Sequence, residues 1–226
     1  MRIKRFLRNY ALTAGTSTDI FSRIYRRNYW GGGESRSGTG SSFRQTEVIR
    51  SELPNLLERL EVENLLDAPC GDFRWLSEVP LDLNYVGLDI VPKLIEGNAE
   101  NYGSERRSFR CADVTRDSLD KFDLILCRDL LVHLSLKDGL RALQNFVDSG
   151  STYLLITTFE SRESNEDIRT GDWRPRNLRV SPFSLPEPLL LIDEECTEGG
   201  GLFSDKSLGL WELSSIGKAL SRTQQG

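Results

Sequence analysis

Two acidic residues, each ending an apolar run, mark where this chain could do chemistry. Leu65-Leu66-Asp67 runs straight into Ala68-Pro69-Cys70-Gly71-Asp72-Phe73, a turn of small residues, and Tyr85-Val86-Gly87-Leu88 ends on Asp89 and Ile90. Asp89 lies 22 positions after Asp67, about the spacing at which an acidic residue accepts hydrogen bonds from ribose hydroxyls. The pair points to an adenosine-containing ligand at the carboxyl ends of parallel strands. Pyrophosphate is a poor fit, because its backbone cradle needs glycines in G-x-G-x-x-G order and only Gly71 stands in this turn. Pro69 has a fixed φ and no donor, so any unusual backbone angle falls to Gly71.

Two further groups follow. Asp113 and Val114 come just after Phe109-Arg110-Cys111, and Cys127-Arg128-Asp129 ends another apolar run. His133 is the only histidine in the chain. Imidazole is the side chain best matched to deprotonating a hydroxyl near neutral pH. A histidine among leucines can equally cap a helix or bond within the core, and Asp113 and Asp129 can equally be turn or capping aspartates.

The stretch from Asp67 to Phe73 resembles motif I of the class I S-adenosylmethionine-dependent methyltransferases, acidic-x-Gly-x-Gly-x-Gly, as an Asp-x-Pro-Cys-Gly variant. Asp67, Gly71 and Asp89 match, while Pro69 and Phe73 stand in place of the first and third glycines. The resemblance spans about residues 60–160. It implies S-adenosyl-L-methionine as cofactor, held by the turn (Asp67, Ala68, Pro69, Cys70, Gly71, Asp72, Phe73) and by Asp89 and Ile90. It also implies that Asp113 accepts a hydrogen bond from the adenine amino group, that Val114 touches the ring, and that Cys127, Arg128 and Asp129 lie beside the sulfonium. Pro-Cys nucleophiles in similar enzymes follow the fourth strand, so Cys70 is expected to be inert. Nitrogen methylation of nucleobases goes with an Asp/Asn-Pro-Pro-aromatic run after that strand, where this chain reads Cys127-Arg128-Asp129-Leu130.

The elements that position these residues follow from the pattern. Helices are expected at 17–28, 43–60, 92–101 and 136–148, with another near 72–78 and a helix or turn at 116–120. Strands are expected at 64–68, 84–89, 107–111, 122–127 and 151–158. Alternation of this kind predicts an α/β fold with a parallel sheet covered by helices on both faces, and the resemblance implies that it is the Rossmann-like, seven-stranded, mostly parallel sheet of that family. Residues 188–194 and 207–213 read as an antiparallel C-terminal hairpin. Residues 159–187 hold Gly171, Pro175, Pro182 and Pro186, too irregular for a crossover helix, and are expected to form an acceptor loop inserted into a methyltransferase domain spanning 43–226.

Residues 1–42 are expected to form a basic helical arm and a Gly/Ser-rich loop at 31–42. That loop reads either as a linker or as a lid that brings Arg36 and Ser42 onto the cofactor. Ile3, Phe6, Leu7 and Tyr10 have helical spacing with Arg2, Lys4, Arg5 and Arg8 around them, which suits packing on the domain or contact with an anionic membrane. Residues 1–30 carry a net +6, leaving −11 for the rest of a chain whose total is −5. An acidic body argues against nucleic-acid partners.

The 226 residues, 38% hydrophobic and 28% charged, suit one globular enzyme domain. No long apolar run and no signal-like start are present, so a cytoplasmic protein is expected. Four scattered cysteines without a C-x-x-C pair suit reduced, buried thiols and no metal site. Candidate acceptor contacts are Asn165, Trp173, Arg174 and Asn177, a mix that suits sugars or carboxylates. The expected activity is O-methylation of a small molecule or glycan precursor, with His133 or Asp129 as base. Carboxyl or N-methylation of a metabolite or protein, and cofactor binding without turnover, are the alternatives.

Overall fold

The computed structural model describes residues 15–31 and 33–223; the basic arm at 1–10 lies outside them. Helix α1 (Ser17–Arg26) begins at Thr16, whose Oγ1 accepts from Asp19 N while the Asp19 carboxylate accepts from Thr16 N. This reciprocal box satisfies two of the donors a helix start leaves open. Helix α2 (Glu47–Arg59) runs through Pro54, and its buried Ile49, Leu53, Leu56 and Leu57 hold it against the sheet.

Strands β1 (Asn64–Asp67), β2 (Asn84–Asp89), β3 (Arg107–Cys111), β4 (Leu124–Cys127), β5 (Tyr153–Phe159), β6 (Leu190–Asp193) and β7 (Lys206–Glu212) form one sheet in the order β3-β2-β1-β4-β5-β7-β6. The first five pair parallel, and β7 is antiparallel to both β5 and β6. Helices α3 (Pro92–Tyr102), α4 (Leu136–Asp148) and α5 (Leu213–Thr223) complete the chain. Central strands are apolar throughout because both faces are covered. Leu66, Ile125, Cys127, Leu154 and Ile156 pack with α1, α4 and α5, while Leu65, Leu124, Leu126 and Leu155 pack with α2. The chain reverses its direction of growth between β1 and β4, which opens a crevice at their carboxyl ends.

Three local expectations change. The helix near 72–78 is replaced by tight turns and a short 3-10 turn at Leu76–Glu78, because Phe73 adopts φ +56°. That conformation sends its ring into a cluster with Tyr85, Tyr102 and Phe109, at centroid distances of 5.0, 5.1 and 5.2 Å. Of the two forms expected at 116–120, the turn is found, at 114–117, where Asp113 and Asp117 bond the local backbone. Helix α5 was not expected, although Leu213, Ile216 and Leu220 at spacings of three and four bury one face. Cys111 is exposed while the other three cysteines are buried, so the thiols are not all core residues.

Residues 159–187 are irregular yet fastened. Fully buried Arg176 donates to the carbonyls of Leu131, Leu134 and Glu166. The Asn165 amide bonds the backbone of Asn177 and Ser181, and that of Asn177 bonds Glu160 O and Arg162 O. No helix among the described residues is long and apolar enough to cross a membrane.

Candidate active site

Strand β1 delivers Asp67 to the crevice, and the turn after it carries the backbone across the edge of the sheet. Asp67 is buried and accepts a 2.7 Å hydrogen bond from the Tyr85 hydroxyl, and burial raises its carboxyl to about 7. Gly71 has φ +51°, and a Cβ there would collide with Ser37 Oγ. The glycine therefore serves a close approach as well as a backbone angle. Ser37 Oγ accepts from Asp72 N at 2.9 Å, and Arg36 N donates to the Asp72 carboxylate at 2.9 Å. Glu34 accepts from Phe43 N at 3.0 Å. Residues 33–43 thus pack on the motif turn, and we refer to this segment as the lid.

Between lid and sheet lies a cleft of about 880 Å³. Strand ends and the motif turn contribute Asp67, Pro69, Cys70, Gly71, Asp72, Asp89, Ile90 and Arg128 to its wall; the lid side adds Trp30, Arg36, Ser37 and Ser41. The Asp89 carboxylate accepts from Val91 N at 3.0 Å, and burial raises it to about 6. A side pocket of about 350 Å³ opens beyond Ile90 and Leu130, lined by Ala112, Asp113 and Val114. The donor set fits a nucleoside with an amino-acid tail: an acid for ribose hydroxyls, apolar walls for a purine, and the Arg36 guanidinium for a carboxylate. That guanidinium lies over the Tyr25 ring and pairs with no carboxylate among the described residues. Asp113 already accepts from Thr115 N and Oγ1, so it caps its own turn as well as lining the pocket.

A second cleft of about 880 Å³ adjoins the first, and Trp30, Ser37, Asp129 and His133 line both. His133 stacks on Trp30 at 4.2 Å between ring centroids. Its Nδ1 lies 3.0 Å from Asp172 O. A carbonyl only accepts, so Nδ1 carries the proton and Nε2 keeps a lone pair. Burial lowers the imidazole to about 4, leaving it neutral at physiological pH. One wall of this cleft is aromatic, where Phe159, Trp173 and Phe203 meet edge to face, Trp173 and Phe203 at 4.7 Å, and Thr39, Glu198 and Lys206 line the remainder with glycines.

Beneath both clefts runs a buried charge network. Arg128 Nε bonds Glu194 at 2.6 Å, Lys206 Nζ lies 2.6 Å from Asp129 and 3.2 Å from Glu194, and Arg128 also donates to Gly40 O of the lid. Burial works against ionising Asp129, but the Lys206 ammonium and Arg128 guanidinium prevail and hold its carboxyl at about 2. Charge pairing lets Arg128, Glu194 and Lys206 stay buried together beside half-buried Asp129.

Residues 41–187 match a family described as "Methyltransferase domain", about two-thirds of the chain. The chain belongs to that family. It is an S-adenosylmethionine-dependent methyltransferase. Among solved structures it is similar to the N-methyltransferase NodS from Bradyrhizobium japonicum WM9 in complex with S-adenosyl-L-homocysteine. That match has a TM-score of 0.62 at 15% identity and covers 87% of this chain and 98% of that one. Another similar structure is the methyltransferase domain of bacterial CtHen1-C, with a TM-score of 0.55 at 14% identity, covering 74% of this chain and 98% of that one. These likenesses establish the fold. No curated protein matches the chain in sequence.

The structure of this methyltransferase brings most of the expected cofactor residues together and redirects others. Ala68, Phe73 and Cys127 are buried in the core and line neither cleft. Ser42 caps the turn before α2 through bonds with Gln45 N and Thr46 Oγ1, and Ser37 and Ser41 face the cleft instead. Cys70 lines the cleft, but burial pushes its thiol up, away from thiolate. Asp129, expected as a base, is an ion-pair anchor with little proton affinity. Of the acceptor candidates only Trp173 reaches a cleft; Asn165 and Asn177 brace the loop, and Arg174 bonds Glu166 and the Trp173 carbonyl. Sequence reasoning missed Lys206, Glu194, Glu198 and Phe203. Lys206 and Glu194 could have been flagged as charges bordering strands that read as buried.

Proposed function

We propose that this methyltransferase acts on a hydroxyl of a small, ring-bearing molecule such as a glycan precursor. The observation that carries the reading is the neutral His133 imidazole, its Nε2 lone pair free, on the wall where the cofactor-sized and aromatic clefts meet. When bound, S-adenosylmethionine supplies a methyl group on a positively charged sulfur. Asp89 and Arg36 would fix its ribose and carboxylate, and the lid excludes water. Trp173 and Phe203 would hold the acceptor ring so that its oxygen reaches the methyl in line, which supplies much of the rate through positioning.

His133 accepts a hydrogen bond from the acceptor hydroxyl and takes its proton at Nε2. An alcohol is a far weaker acid than an imidazolium near pKa 4, so transfer is unfavourable at the start. It becomes favourable as the oxygen commits its lone pair and its O–H grows strongly acidic. General-base help is greatest when the pKa lies near the working pH, so an imidazole held near 4 is always unprotonated but a weaker base than an ordinary histidine. The acidic body of the chain disfavours polyanionic acceptors.

Methylation of an amine is the second reading, favoured by the aromatic walls together with the Glu198 carboxylate, which also suit an ammonium group. Incubating the protein with labelled S-adenosylmethionine and neutral or amino sugars, then locating the methyl by mass spectrometry, separates O- from N-transfer. Methyl on nitrogen alone would replace the first reading by the second.

A further inference from the structure

Glu198 is the acidic group in the aromatic cleft that makes no direct ion pair among the described residues, although the buried Arg128 guanidinium acts on it from a distance. Asp129 is tied to Lys206 and Arg128, whereas no Lys, Arg or His among the described residues pairs with Glu198. Its Oε1 accepts a 2.5 Å hydrogen bond from Thr39 Oγ1 of the lid. Its Oε2 has no hydrogen-bond partner among the described residues and faces Gly40, where a Cβ would lie 3.0 Å from it. The local sequence builds this placement. Gly199 and Gly200 adopt φ +61° and +67°, and a Cβ at Gly199 would come within 2.8 Å of the Phe203 ring. The glycines thus let the chain fold tightly on Phe203 with Glu198 on the wall of the cleft beside Trp173.

Asp129 and Glu198 line the cleft with Lys206, and Arg128 lies just behind it, so the basic groups are spent on Asp129 by direct contact while Glu198 keeps an open carboxylate oxygen. A carboxylate with an open oxygen beside aromatic rings accepts hydrogen bonds from hydroxyls of a ring packed on those faces. The same charge repels an acidic acceptor. We infer that Glu198 is the specificity-determining residue of the acceptor site: it binds hydroxyls of a neutral sugar ring seated on Trp173 and Phe203, and excludes sugars that carry a carboxylate. This rests on the reading of the second cleft as the acceptor site.

The test uses the full chain saturated with S-adenosylhomocysteine and three probes, the methyl glycosides of a hexose, a hexosamine and a hexuronic acid. Binding is read by ligand-observed NMR and turnover by mass spectrometry with S-adenosylmethionine. Wild type should bind the neutral hexoside and discriminate against the hexuronoside. Glu198→Gln should weaken hexoside binding by about tenfold, as expected when a charged acceptor becomes neutral, and should narrow the gap to the hexuronoside while S-adenosylhomocysteine affinity stays unchanged. Thr39→Val removes the lid's bond to Glu198 without touching its open oxygen, and should leave sugar discrimination in place. The inference is overturned if no sugar binds wild type, if Glu198→Gln binds all three as wild type does, if its loss is confined to the hexosamine, or if Thr39→Val reproduces it. Glu198-dependent hexoside binding without any methylated product would sustain this inference and refute the O-methylation reading instead.

Discussion

Replacing Gly71 by alanine tests how the lid and the motif turn depend on each other. The position has φ +51°, and the added methyl would collide with Ser37 Oγ. Left-handed backbone costs a non-glycine residue about 1–2 kcal/mol. Moving Ser37 aside also breaks its bond to Asp72 N, worth about 1 kcal/mol. Together the loss is about 2–3 kcal/mol, and at roughly 2–4 °C per kcal/mol for a chain of this size Tm should fall by about 4–12 °C. Because the same displacement lifts Arg36 from the cleft, S-adenosylhomocysteine affinity should drop at least about tenfold, equivalent to 1.4 kcal/mol. Thermal melts and calorimetry on Gly71→Ala, Ser37→Gly and the double variant make the test sharp. Ser37→Gly removes the obstacle but not the backbone strain, so the double variant should be about 1 kcal/mol more stable than the sum of the single losses. Strict additivity, or wild-type affinity in Gly71→Ala, would refute the contact between lid and turn.

His133→Ala should lower turnover by about 10²–10⁴ with S-adenosylhomocysteine binding intact. Because its imidazole titrates near 4, the wild-type rate should stay flat from pH 6 to 8 as far as this group is concerned and fall only in more acidic solution, which a pH–rate profile reads directly. Glu194→Gln leaves Arg128 and Lys206 with Asp129 alone, and disrupting a buried charge set costs about 3–5 kcal/mol; unchanged thermal stability would show that the network carries no net stabilisation. Ribose hydroxyls bind ionised Asp89 best, and its carboxyl is raised to about 6. Affinity for S-adenosylhomocysteine should therefore rise by up to about tenfold from pH 5 to 7.5, and Asp89→Asn should flatten that rise. Without ligand the sign reverses: a folded carboxyl raised above its unfolded value gives stability that is full below pH 3.8 and lost as pH rises through about 6, so the free protein should be less stable at pH 7 than this group alone would make it at pH 4.

The sheet was legible because its central strands read as short apolar runs between turns, and the motif turn because Asp67, Gly71 and Asp89 keep their spacing. What sequence concealed was mostly direction and pairing. Asp129 looks like a base until Lys206, 77 residues later, is found 2.6 Å from it. Asn165 and Asn177 read as acceptor ligands, yet an irregular loop consumes their amides in satisfying its own backbone. Ser42 and Ser41 are neighbours of one type, and only the course of the chain decides which faces the cleft. Phe73 shows local propensity overridden, since burial in an aromatic cluster outweighs a helical start.

The most direct test of the account is a calorimetric titration of the full chain with S-adenosylhomocysteine, beside the same titration of Asp89→Ala. The account predicts saturable one-to-one binding by wild type. The variant, having lost charge-assisted bonds each worth about 1.5–3 kcal/mol, should bind at least about tenfold more weakly. Equal affinity in the two proteins, or no binding by wild type, would contradict the assignment of the cleft between β1 and β4 as the cofactor site.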